Sequence, residues 1–225
     1  MRFISIRSVF LALVAVFAMS AVTAAAASAL APEFKPSTKQ AFTGTAGAVT
    51  FSMTTGEALD CTSETSHGEV TGAKTVNSVV LTFTGCYVET SGGTRCSWGT
   101  PGDKTGEFVT KALKGELGEV AKTEAASGVG LLLKPESGTH DIGLIEAPCL
   151  PETYLEGDVV AEVTPTKTSA KTLKLVFVGK SGGQAIKFIM KGLEKYSAHL
   201  EFEGVEALSV DFTETFSFEK ALEVT

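Results

Sequence analysis

Glu69-Val70-Thr71-Gly72-Ala73-Lys74-Thr75, running on to Val79-Val80-Leu81-Thr82-Phe83-Thr84-Gly85, recurs in altered form further along the chain. The second version is Glu162-Val163-Thr164-Pro165-Thr166-Lys167-Thr168, followed by Leu173-Lys174-Leu175-Val176-Phe177-Val178-Gly179. Both end in Phe-x-Gly, and each has a cysteine upstream, Cys61 or Cys149. Such self-similarity reads as one supersecondary unit used twice. In the first copy Val79, Leu81 and Phe83 share one side, and Val80, Thr82 and Thr84 share the other. Period two with one apolar side is the pattern of a half-buried antiparallel strand. The second copy is almost continuously apolar over 173–178, which predicts burial on both faces.

The same alternation extends outward. Val49, Phe51 and Met53 alternate, as do Tyr196, Ala198, Leu200 and Phe202. Leu208, Val210, Phe212, Phe216 and Phe218 share a parity that only Glu214 breaks, and they read as core. Ser181-Gly182-Gly183 between apolar runs is a hairpin signal. Residues 107–126 are ambiguous. Leu113, Leu117, Val120 and Ala121 have helical spacing, but Gly115 and Gly118 would each cost a helix about 1 kcal/mol relative to Ala. A bent hairpin, with the glycines at bulges or close approaches, is the favoured reading. The predicted class is all-β: an antiparallel sandwich or partly closed barrel, with pseudo-repeated halves at 48–126 and 129–218 and at most one short helix near 113–121.

Residues 1–29 read as a secretory signal peptide. Arg2 and Arg7 precede an apolar run over 9–19, and Ala27-Ser28-Ala29 offers a small-x-small cleavage site. Residues 30–225 then form one exported β domain, and no further stretch reaches membrane-spanning length. The formal charge is −7, more negative still without the leader's arginines. That disfavours nucleic acid and anionic membranes as partners. Four cysteines in an exported chain imply two disulfides with three possible connectivities. Cys86 with Cys96 is favoured, because they bracket the turn-like Thr90-Ser91-Gly92-Gly93-Thr94, and Cys61 with Cys149 is what remains.

No catalytic constellation stands out. His67, His140 and His199 each have an acid nearby, but no activated nucleophile accompanies them. Nucleotide-binding and zinc-protease motifs are missing, as are zinc-type cysteine spacing and a loop of clustered acids for calcium. No metal or cofactor is expected. The stapled tip with Tyr87, Arg95 and Trp98 is the candidate binding element; the same tryptophan would otherwise plug one end of the core.

Lys111-Ala112-Leu113-Lys114-Gly115-Glu116-Leu117-Gly118, the continuation Ser127-Gly128-Val129-Gly130-Leu131-Leu132, and residues 69–86 resemble stretches in a family of uncharacterised secreted β-rich proteins of soil actinobacteria. The resemblance covers most of the exported chain. It implies export and brings no catalytic or binding residue with it.

These features point to a non-enzymatic extracellular binding or structural protein, secreted or held at the cell envelope, with an envelope glycan or protein as partner. The alternative is a secreted hydrolase that cuts polysaccharide with paired carboxylates.

Overall fold

The computed structural model describes residues 31–225 except 55, 90–92, 124–125, 181–182, 187, 192–193 and 203–207. The signal peptide expected over 1–29 lies outside the described residues. The strands in chain order are β1 (Phe34–Lys35), β2 (Gln40–Ala46), β3 (Val49–Ser52), β4 (Ala58–Cys61), β5 (Ser63–Val70), β6 (Thr75–Thr84) and β7 (Tyr87–Glu89). Next come β8 (Arg95–Ser97), β9 (Glu107–Val109), β10 (Leu113–Thr123), β11 (Ala126–Pro135), β12 (Asp141–Ala147), β13 (Leu150–Gly157) and β14 (Val159–Thr164). The last are β15 (Ala170–Phe177), β16 (Gly179–Lys180), β17 (Gly183–Gln184), β18 (Phe188–Lys191), β19 (Glu194–Ser197), β20 (Leu200–Phe202) and β21 (Ser209–Val224). Among the described residues there is no helix.

Eight of these strands close into an antiparallel barrel in the order β2-β5-β6-β10-β11-β14-β15-β21, with β21 pairing back to β2. Each barrel strand therefore neighbours the barrel strands before and after it in the chain, which is the up-and-down plan. The alternatives of a sandwich or a partly open barrel give way to full closure, which leaves the barrel without an open edge. The two similar stretches become the hairpins β5–β6 and β14–β15. They sit four strands apart, on opposite sides of the ring.

Alternation decides which side chains fill the lumen. Val79, Leu81 and Phe83 point inward and are buried, as are Leu173, Leu175 and Phe177. The second apolar run is not buried on both faces: Lys174 is exposed, Val176 is half-buried and Val178 is 41% exposed. Its outer face meets solvent, so it follows the ordinary one-sided pattern. Residues 113–123 are strand rather than helix, and the two glycines mark close approaches. A Cβ on Gly115 would lie 2.6 Å from Val76 Cγ2, and one on Gly118 would lie 2.5 Å from the Met190 carbonyl.

One end of the barrel is capped. The long strand β21 leaves the barrel to pair with β3, extending a sheet β3-β4-β7-β8. A second sheet, β12-β13-β20, covers the same end. Phe51, Ile142, Leu155 and Leu200 from the cap meet Phe83, Phe177 and Phe212 around a void of only about 40 Å³. Outside the wall, the hairpin β18–β19 lays Ile189 over Val120, Leu132 and Val160, forming a small second core.

Candidate functional site

The stapled tip is built differently from the expectation. All four cysteines are in disulfides, but the bonds are Cys61–Cys86 and Cys96–Cys149. Register explains the correction. The β7–β8 hairpin sets Val88 opposite Cys96 and Tyr87 opposite Ser97, so Cys86 faces Trp98. Cys96 is then a diagonal neighbour of Cys86, at roughly 7–8 Å between Cα atoms, which a disulfide does not span without backbone movement. The pairing of β4 with β7 sets Asp60 opposite Tyr87. One step on, Cys61 faces Cys86 with their Cα atoms 4.0 Å apart. The second bond ties β8 to the turn between β12 and β13, and so joins the two cap sheets.

Trp98 does not belong to an exposed tip. It is 1% exposed and packs edge-on to Phe51 at 5.9 Å and tilted against Phe108 at 5.5 Å. The tryptophan plugs the capped end. Arg95 does lie over the Tyr87 ring, 4.2 Å from its centre. Of the three tip residues, the structure brings these two together on the surface and sends the third into the core. Thr90, Ser91 and Gly92, between Tyr87 and Arg95 in sequence, fall outside the described residues.

The lumen holds a carboxyl pair. Glu64 and Glu214 both pair with Ala46, from the two strands flanking β2, so both side chains point to the same face. They are 1% and 0% exposed. The Ser66 hydroxyl donates to Glu214 Oε1. Gly44 leaves the space for this contact, since a Cβ there would collide with both groups. Glu64 Oε1 and Oε2 and Glu214 Oε2 find no partner among the described groups. Burial, and then the neighbouring Glu214, pushes Glu64 up to about 9. Burial raises Glu214 to about 7, against the opposing effect of the Ser66 hydrogen bond. The pair therefore carries at least one proton at neutral pH. Glu214 is the residue that breaks the alternation of 208–218, and that break was its only sequence signal. Nothing local marks Glu64.

A third constellation lies on the outer wall, where the end of β19 meets β10, β11 and the start of β14. A pocket of about 170 Å³ is lined by Lys114, Lys134, Thr139, His140, Asp158 and Tyr196, among others. Asp158 is buried at its floor. Its Oδ2 accepts the Tyr196 hydroxyl at 2.7 Å, and its Oδ1 accepts the His199 backbone N–H at 2.9 Å. Burial, together with the hydrogen bond to Asp158 and its charge, raises Tyr196 to about 12, so the phenol stays a neutral donor. Lys134 stands 5.4 Å and Lys191 5.2 Å from the Tyr196 ring centre. The rings of His140 and His199 are 6.4 Å apart. In the sequence, His140 and His199 stand out only for an acid near each. Lys114 and His140 converge with Tyr196 from segments far apart in the chain, and no local signal announces it.

Among the described residues, no group of three or more His, Cys, Asp or Glu side chains is placed to hold a metal ion. Comparison of the chain with protein-family models, with curated proteins and with solved structures gave no match.

Proposed function

We propose that this chain is a non-enzymatic binding protein that works outside the cytoplasm and seats its ligand on the outer wall of the barrel, in the pocket beside Tyr196. The observation that carries the proposal is that pocket. It is concave, open to solvent and lined by polar groups, among them the Tyr196 hydroxyl held by Asp158. The lumen is a poorer seat, because its void is only about 40 Å³ and is surrounded by buried, almost wholly apolar side chains. Two disulfides are compatible with an oxidising, extracellular setting. The hydrolase alternative needs two carboxyl groups flanking a reachable substrate. Glu64 and Glu214 form one carboxyl pair and are sealed from solvent, and Glu156 and Glu201, opposed across β13 and β20, lie outside the Tyr196 pocket.

The test is retention of the purified protein on envelope glycan and envelope protein fractions. Thr139→Trp, which fills the mouth of the pocket, should abolish retention while leaving the melting temperature unchanged. Retention unaffected by Thr139→Trp would overturn the assignment of the seat. Release of reducing sugar from polysaccharide, lost in Glu64→Gln or Glu214→Gln, would favour the hydrolase instead.

A further inference from the structure

Resting on the assignment of that pocket as the ligand seat, we infer that its ligand presents an oxyanion group, held between Lys114 and Lys134. These lysines stand directly opposite each other on the paired strands β10 and β11. Like charges in that relation repel and destabilise a sheet. Elsewhere on this wall the arrangement is balanced: Lys191 pairs with Glu116 at 3.0 Å. Lys114 reaches only the Glu136 backbone carbonyl, at 3.3 Å, and Lys134 only the Tyr196 ring. Among the described residues, neither has a carboxylate within ion-pair distance. The one acid lining the pocket, Asp158, has both oxygens engaged by Tyr196 and by the His199 N–H. Two lysines against one acid leave the pocket net positive, on a chain whose formal charge is −7.

An unbalanced cation pair at a pocket mouth is what a carboxylate or phosphate group would neutralise with charge-assisted hydrogen bonds. The Tyr196 ring already faces two lysines, which leaves it poorly placed to stack on a neutral sugar. The shared chemistry is therefore the oxyanion, whether free or carried on an acidic polysaccharide.

The experiment measures the melting temperature and direct binding of the full chain with four probes: inorganic phosphate, inorganic sulfate, oligogalacturonate and neutral oligogalactose. Ionic strength is matched with chloride throughout. Any of the first three should raise the melting temperature, because a ligand that binds only the folded state stabilises it. Lys114→Gln or Lys134→Gln should weaken that binding by roughly tenfold or more. Both lysines are half-buried on the outer wall, and melting in chloride alone checks that each variant folds. A response to phosphate or sulfate identifies a free anion as the ligand, and a response to oligogalacturonate alone identifies an acidic glycan. No response to any anion, or a response that both lysine variants keep at the strength of the unsubstituted chain, overturns the inference. Oligogalactose binding that Thr139→Trp abolishes and the lysine variants keep would also overturn it, while leaving the pocket as ligand seat intact.

Discussion

Glu64 and Glu214 are acids that the fold holds in their neutral form. An ordinary glutamic acid titrates near 4.5, and here the folded values are raised to about 9 and about 7. Between those limits the folded state binds more protons than the unfolded chain, so stability falls as pH rises. The stabilising contribution is complete below about pH 4.5 and is lost as pH climbs through 7 and then 9. Urea midpoints measured from pH 5 to 9.5 should therefore decline, with a loss on the order of a few kcal/mol. The Glu64→Gln, Glu214→Gln double variant should be nearly flat over this range. A wild-type midpoint that rises with pH would contradict the burial of the pair. How legible was this site? Glu214 was visible as an acid at a core parity. Glu64 was not, because neither its neighbours nor its spacing distinguishes it from a surface acid. Its inward direction follows only from pairing with Ala46.

At the scale of elements, the glycines of β10 and the disulfides of the cap set how layers meet. Gly118 lets β18 cross the outer wall: a Cβ would sit 2.5 Å from the Met190 carbonyl and 2.6 Å from Ile189 Cγ1. Gly118→Ala should cost about 1–3 kcal/mol. Amide exchange in β18 should accelerate before that in the barrel strands, since the outer hairpin is what the new methyl lifts. Equal acceleration everywhere would mean that the hairpin is not a separate layer. The disulfides close loops of different length, with sequence separations of 25 for Cys61–Cys86 and 53 for Cys96–Cys149. By chain entropy these stabilise by about 3.5 and about 4 kcal/mol. Replacing Cys96 and Cys149 with Ser should lower the melting temperature at least as much as replacing the other pair. Peptide mapping without reduction should recover the two bonds named, and recovery of Cys86 joined to Cys96 would refute the β7–β8 register. The strands themselves were largely legible from alternation. The pairing of the cysteines was not, because a short sequence loop says nothing of which residues face one another.

For the whole molecule, closure is the central event. Strand β21 pairs with β2 on one side and β15 on the other, and its first residues also pair with β3. Residues from the two ends of the chain must therefore meet before the lumen is sealed. Truncation after residue 208 should abolish the cooperative melting transition rather than lower its midpoint, because it opens the ring along both neighbours of β21. Circular dichroism through a thermal ramp would show this. A truncated chain that still melts cooperatively would mean that the remaining strands form a stable open sheet. Contacts this distant in sequence also make for slow folding, in the range of milliseconds to seconds.

The sequence by itself determined that the chain is all-β, which positions face inward along most strands, and that its cysteines join in disulfides. These are local properties. Period two is imposed by the pleat of the backbone, and an apolar parity is enough to choose the buried face. Tertiary structure alone decided that the sheet closes into a barrel, that Cys61 joins Cys86, and that Trp98 plugs the cap. It also set Glu64 beside Glu214 and gathered Lys114, Lys134, Asp158 and Tyr196 around one pocket. Each of those depends on register between strands distant in the chain, and a shift of one residue in register would turn the same side chains to the opposite face.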